Sequence, residues 1–353
     1  MADQKVSGSG PTSIRTQELP YLSHIPTDGR SIPVLAFLDD TGSGHAYIPH
    51  HKGMWIDVRP IEPVAISFLC KGGPPTSRDV HLPLAHIVVQ HFSFAHTMAI
   101  LKSIESDYLN VLASLHKYFV LSNYVTTERN HLLHVLIATE LEFVLSNHRS
   151  FYDLIHKLVM SILARACIIT SQGSQIKTAN MPDSFSKMVR KPGCELANKY
   201  NLPSPLIKFY EGKKNIFNCL REIRNNVIHH GHSVGFIYTF PDGFALSLRD
   251  GMWADLDTAA IWPPALNKPN NLVSVLGLLA FVVGDMEDTM LALVNGMTEV
   301  FVPLPQAIAE GYRVYLRDHV VVHHSWLSEY KSQQWFAPLS ILQRCRSEWP
   351  AGR

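Results

Sequence analysis

The chain has 353 residues, 46% of them hydrophobic, and a formal net charge of +1. That length and apolar content provide for a sizeable core in two domains, or in one domain with additions, and exclude wholesale disorder. The near-zero charge excludes a broad basic coating for nucleic acid and leaves room only for a local basic cleft.

Five cysteines, Cys70, Cys167, Cys194, Cys219 and Cys345, are scattered, with no Cys-x-x-Cys pair. Neither a zinc ribbon nor a redox motif is indicated, and an odd, dispersed set suits a reducing cytosol. The first residues are polar and unlike a signal peptide. The longest apolar run, residues 272–283, is about a dozen long, too short to span a bilayer, and predicts a buried core helix. A cytoplasmic location without membrane association is the expectation.

Residues 1–30 are rich in Ser, Gly, Pro and Thr without periodicity, which predicts a disordered tail. Residues 31–92 change character. Short apolar runs at 32–38, 55–59 and 64–70 are separated by Asp39-Asp-Thr-Gly-Ser-Gly, Pro60 and Gly72-Gly-Pro-Pro, the punctuation of strands and turns. A small β-containing N-terminal lobe is predicted there.

Helical spacing begins near Phe94. Leu101, Ile104, Tyr108, Val111, Leu115 and Tyr118 form one stripe, and Asn123 closes that helix. A second helix is predicted from Thr127 with a stripe of Leu132, Leu136, Thr139 and Phe143. It continues through Phe151, Leu154, Leu158 and Ile162, with a kink or break at residues 146–150. Residues 171–180 are expected to be a loop, and residues 182–200 to carry one short helix ended by Pro192-Gly193. After a helix opened by Pro203-Ser-Pro205, residues 234–248 with Pro241-Asp242-Gly243 at their centre predict a β-hairpin. Residues 262–271 read as a linker. Leu272, Val275, Leu279, Val282, Met286, Met290, Leu293 and Met297 then predict a long helix, either central to the bundle or burying a dimer face. Residues 301–353 form a C-terminal extension with candidate strands at 312–316 and 319–323.

The most informative stretch is residues 213–232, KKNIFNCLREIRNNVIHHGH. Ile216, Leu220, Ile223 and Val227 mark a buried face, and Gly231 stands where a helix stops. Arg221, Arg224, Asn225, Asn226, His229 and His230 occupy the other faces. A permanent cation that grips phosphate and an imidazole that exchanges protons near neutral pH can together act on a phosphodiester. Asn225 and His229 are four apart and share a face, so the amide can orient the ring. Arg224 and His229 are five apart, roughly 140° around the axis. They meet if the Arg curls round, if the helix loosens at His229, or if a second copy completes the site. Lys208, Lys213, Lys214 and Arg221 accumulate nearby with Phe209 and Tyr210 among them. Two readings stand: a strip for single-stranded nucleic acid, with Lys213, Lys214 and Arg221 as RNA-binding residues, or a solvated face over two core aromatics.

Arg224-Asn225-x-x-x-His229 at the end of an amphipathic helix resembles the Arg-x(4–6)-His motif of HEPN-domain proteins, many of them metal-independent ribonucleases. The resemblance is sharp over these residues and loose over 94–297. It implies a mainly α fold: a HEPN-like bundle over 93–300 with the hairpin inserted at about 233–250, beside the β-containing lobe. It further implies Arg224 and His229 as the catalytic pair with Asn225 as helper, RNA as substrate, a homodimer and no cofactor. His230 and His232 are weaker alternates. A toxin or defence-type endoribonuclease under an inhibitory or sensing partner is the resulting expectation. A non-catalytic bundle for dimerisation or nucleotide binding is the alternative.

The rivals are weaker. His319-x-x-x-His323 has the spacing of a helical zinc pair, but Val320-Val-Val reads as strand, and the other histidines (His45, His50 and His51 among the 19) form no ligand pattern. No metal site is expected. Gly-x-Ser-x-Gly and a phosphate-binding Walker loop are absent.

Overall fold

The computed structural model of the chain describes residues 13–15, 31–33, 36–38, 44–49, 54–57, 67–71, 79–92, 95–125, 132–165, 181–229, 234–249, 253, 256, 261–262, 266–301 and 312–317, with side chains for most of those between 82 and 301. The chain divides into two compact units, one of Met1–Lys102 with Pro303–Asp318, the other built on Ser103–Val302. The described chain is mostly helical, with short antiparallel sheets.

The first unit carries strands β1 (Ser13–Arg15), β2 (Ser31–Pro33), β3 (Ala36–Leu38), β4 (Gly44–Pro49), β5 (Met54–Asp57), β6 (Ser67–Lys71) and β7 (Asp79–His81), then helix α1 (Pro83–His91). One sheet has the order β1-β5-β4-β3, so part of the predicted tail is a strand: Ser13 lies opposite Ile56 and Arg15 opposite Met54. The predicted strand near residue 312 is also present, as β12 (Tyr312–Arg317). It does not end an independent extension. It pairs antiparallel with both β6 and β7, giving a sheet of order β2-β6-β12-β7, and α1 lies against it. The candidate strand at 319–323 falls outside the described residues.

The second unit is the helical one. Helix α2 (Ala95–Tyr124) buries the predicted stripe from Leu101 through Tyr118. Helix α3 (Leu132–Arg165) departs from expectation twice. It runs unbroken through residues 146–150. Its first half also buries Leu133, Ile137, Leu141 and Val144, while the predicted stripe residues Leu132, Leu136, Thr139 and Phe143 face outward. The helix is apolar on two faces there, so spacing alone does not choose between them. Ser114 and Lys117 of α2 settle the choice by holding Glu140 of α3, each at 2.8 Å.

Residues 182–200 carry two helices rather than one, α4 (Phe185–Val189) and α5 (Gly193–Tyr200). Ser184 caps the first by accepting from the Lys187 N–H. Pro192 then starts the second in an extended conformation, so the predicted stop is also a start. Helix α6 (Ser204–His229) follows, with Pro203 accepting the first helical N–H groups of Leu206 and Ile207 at 3.0 and 3.1 Å.

The predicted hairpin is β8 (Tyr238–Phe240) and β9 (Gly243–Ser247), with Phe240 opposite Gly243 across a two-residue turn. The expected linker contributes a strand, β10 (Asn267–Lys268), and the first residues of the predicted long helix are instead a strand, β11 (Leu272–Ser274), giving the order β10-β11-β9-β8. Ser274 then caps α7 (Val275–Val300), whose residues from Gly277 to Met286 are all buried, which makes it the central helix of this unit. Helices α3 and α6 pack on it, α4 and α5 pack on α6, and β9 lies against α7. Among the described residues no helix is long and apolar enough to cross a membrane.

Gly243 is the one position in this sheet that its residue type dictates. Its φ is +131°, and a Cβ there would come within 2.2 Å of the Tyr118 hydroxyl oxygen. We expect Gly243→Ala to cost about 1–3 kcal/mol in urea denaturation, through backbone strain plus displacement of a buried ring. An unchanged midpoint would rule out that close approach.

Candidate functional site

Helix α6 positions the motif. Leu206, Phe209, Tyr210, Lys213, Ile216, Phe217, Leu220, Ile223 and Val227 are its buried residues, spaced three and four apart. The predicted stripe is therefore the packed face, and its register extends from Ile216 back to Leu206, nearly three turns further toward the N-terminus than its spacing predicted. Phe209 and Tyr210 belong to it. Phe209 and Tyr210 lie beside Phe185, with ring centroids 6.2 and 5.4 Å away, and do not interleave a surface strip.

Lys213 also lies in that stripe and corrects an expectation. It is only 4% exposed, and its Nζ donates to Asp285 Oδ1 at 3.2 Å. It is not placed to meet RNA. Lys208 and Lys214 are exposed, and Arg221 is half-buried. The basic strip thus loses Lys213 and keeps Lys208, Lys214 and Arg221.

Asp285 collects three donors. Besides Lys213, His148 Nε2 donates to its Oδ2 at 2.9 Å and the Tyr152 hydroxyl donates to the same oxygen at 2.8 Å. An ionised carboxylate only accepts, so His148 carries its hydrogen on Nε2. The Tyr152 hydroxyl hydrogen is committed to Asp285, so Thr289 donates to the Tyr152 oxygen at 3.1 Å. Burial pushes the Asp285 carboxyl up, but the Lys213 charge and the His148 and Tyr152 hydrogen bonds outweigh it and hold the group well below the ordinary carboxylate range. His148 and Tyr152 are four apart on α3, which explains why that helix continues through its polar stretch: His148 turns inward to Asp285. An acid just after the longest apolar run of a helix, and a lysine in register with an apolar stripe, were the sequence signals for this cluster.

A second buried imidazole links α3 to α6 and to the segment before α4. His156 Nε2 donates to the Pro182 carbonyl at 2.7 Å, and in the neutral ring Nδ1 accepts from the Tyr210 hydroxyl at 2.9 Å. Burial lowers the His156 imidazole below its ordinary value. Neither buried cluster is open to a large substrate, and both tie α3 to the elements around it.

The candidate pair sits at the other end of α6. The helix stays α through His229, so the backbone does not loosen before that residue. Arg224 and Asn225 are half-buried, and Arg224 Nη1 donates to Asn225 Oδ1 at 3.3 Å. Asn225 stands about 100° round from Arg224, in the direction of His229, which lies four residues beyond it on nearly the same face. The guanidinium therefore leans toward the Asn225–His229 side of the helix. Asn225 is engaged by Arg224, a role the sequence reading assigned to the orientation of His229. The side chain of His229, and all of His230 and His232, lie outside the described residues.

The half-buried Arg221 guanidinium is lowered by burial and then by the charges of Arg190 and Arg149. Arg149 and Arg190 were not singled out in the sequence, because they lie on α3 and just after α4, 41 positions apart by number and brought together only by the packing of those helices on α6.

Among the described residues no three His, Cys, Asp or Glu side chains gather as a metal site, and the side chains of His45, His50, His51, His319 and His323 are outside that set. Comparison with family models, curated proteins and solved structures gives no match.

Proposed function

We propose that the protein is a metal-independent endoribonuclease of the HEPN type, acting as a homodimer, with Arg224 and His229 as its active pair. The observation that carries this is the Arg224–Asn225 hydrogen bond at 3.3 Å, which draws a half-exposed guanidinium toward the helix face of His229. A mainly helical unit with the motif at the end of one long, well-packed helix suits the same reading.

The chemistry follows from the groups. The ribose 2′-hydroxyl attacks its own phosphate, its proton passing to a base while a second proton reaches the departing 5′-oxygen. The products are a 2′,3′-cyclic phosphate and a free 5′-hydroxyl. His229 serves the proton transfers, and Arg224 stabilises the crowded, charged phosphorane. Asn225 holds the guanidinium in place through its amide oxygen. One imidazole serves as base or acid at a given moment, so two His229 residues facing each other across a two-fold axis supply both.

The test is total RNA incubated with purified protein in EDTA. New 2′,3′-cyclic phosphate ends, detected by ligation with an enzyme that requires them, are the expected result. RNA that stays intact across a range of protein concentrations would instead favour a non-catalytic bundle that only dimerises or binds nucleotides.

A further inference from the structure

Three arginines, one on α3, one just after α4 and one on α6, stand on elements that pack around one aromatic cluster. Arg149 of α3 places its guanidinium carbon 5.2 Å from the centre of the Phe217 ring, and that ring lies 4.9 Å from Phe185 of α4. Arg190 directly follows α4, anchored there by the buried Met188 and Val189. Arg221 stands four residues, about one turn, beyond Phe217 on α6.

The local charge is unbalanced. Asp153 pairs with Arg149 at 2.5 Å and with its other oxygen accepts the Phe185 N–H at 3.2 Å, which ties α3 to the start of α4. Glu222 is exposed beside Arg221. Neither Arg190 nor Arg221 forms an ion pair among the described residues. Bringing like charges together at a partly desolvated rim is unfavourable in itself, and a bound anion reverses the sign of that energy. Planar guanidinium forks suit the oxygens of a phosphate, and a fixed aromatic shelf keeps Arg149 from collapsing away.

We propose that Arg149, Arg190 and Arg221 form a subsite for a backbone phosphate of single-stranded RNA, beside the Arg224–His229 pair and distinct from it. The choice of RNA as the ligand rests on the endoribonuclease reading. Arg221 precedes Arg224 by three residues, a rise of about 4.5 Å along α6. A strand whose scissile phosphate sits at Arg224 therefore passes a neighbouring phosphate over this cluster. The subsite adds affinity and sets the direction of the strand, and it moves no proton.

Binding is measured on the full chain with a fluorescent single-stranded 2′-deoxy oligonucleotide, which lacks the attacking hydroxyl, so that cleavage plays no part. The expected result is that Arg190→Gln and Arg221→Gln each weaken binding about tenfold at low salt. Each should also lower the slope of log affinity against log salt by about 0.7, the effect of one phosphate contact. Lys187→Gln removes an exposed charge from the same α4 and should change neither quantity. Wild-type affinity and slope in both arginine variants would overturn the proposal, as would failure of the wild type to bind the oligonucleotide. If the variants lose affinity while wild type cuts no RNA, the subsite stands and the catalytic reading falls. If wild type cuts RNA and the variants bind normally, the reverse holds.

Discussion

Asp285→Ala destabilises the helical unit by about 3–5 kcal/mol, the range found when one member of a buried ion pair is removed and its partner charge remains. Here the orphaned groups are the Lys213 ammonium, with 5% of its side chain exposed, and the hydrogens of His148 and Tyr152. Water cannot reach them without opening the contacts that α3 and α6 make with α7. Urea denaturation followed by the fluorescence of the buried Trp253 and Trp262 reads the change. Adding Lys213→Met to Asp285→Ala should recover part of the loss, because the unpaired cation leaves with it. A cost below about 1 kcal/mol for Asp285→Ala would show that the cluster is hydrated.

The same carboxylate sets an acid dependence. Its folded-state pKa is depressed, so its stabilisation is complete above the unfolded carboxylate value of about 3.9 and is lost as pH falls below it. In that window the unfolded chain binds a proton that the folded chain does not. Stability should therefore fall by about 1.4 kcal/mol per pH unit from this group alone. Asp285→Ala removes that increment of slope, so the gap between variant and wild type narrows as the solution is acidified.

The fold was legible where one face of an element is apolar and the others are not. The stripes of α2 and α7, and that of α6 from Ile216 to Val227, follow from spacing alone, as does the hairpin at Pro241-Asp242. Helix α3 was legible as a helix and illegible in orientation, since Leu132, Leu136 and Phe143 match helical spacing as well as the buried Leu133, Ile137 and Leu141. Long-range pairing was not legible: β12 takes its place between β6 and β7 from the far end of the chain, and no local pattern encodes a partner that distant.

At the site, the sequence carried residue types and spacing but not partners. Lys213 looks like its neighbour Lys214 in a basic run, and only the extended register of α6 separates the inward residue from the outward one. Arg149 and Arg190 became relevant through the packing of α3 and α4 around Phe217. Asn225 was identified as a helper, and its oxygen is held by Arg224.

His229→Ala reduces RNA cleavage by about 10²–10⁴-fold, the usual contribution of a positioned acid or base, and Arg224→Ala by about 10²–10³-fold. Arg224→Ala should also keep the wild-type unfolding free energy within about 0.5 kcal/mol, since Arg224 does not belong to the buried stripe of α6. The sharper measurement uses a heterodimer. Wild-type and His229→Ala chains carrying different tags are co-expressed, and the mixed dimer is isolated by both tags. If one imidazole acts as base while its symmetry mate acts as acid, the mixed dimer has lost a member of every site. Its activity then falls about as far as that of the variant homodimer. If each chain holds a self-sufficient site, the mixed dimer keeps about half of the wild-type rate. Arg224 leans toward the His229 face within its own chain, so the electrostatic role proposed for it needs no partner. Under the proposed mechanism a second copy adds proton transfer at both ends of the reaction, so half-activity in the mixed dimer, or failure to recover a mixed dimer at all, would remove the shared site.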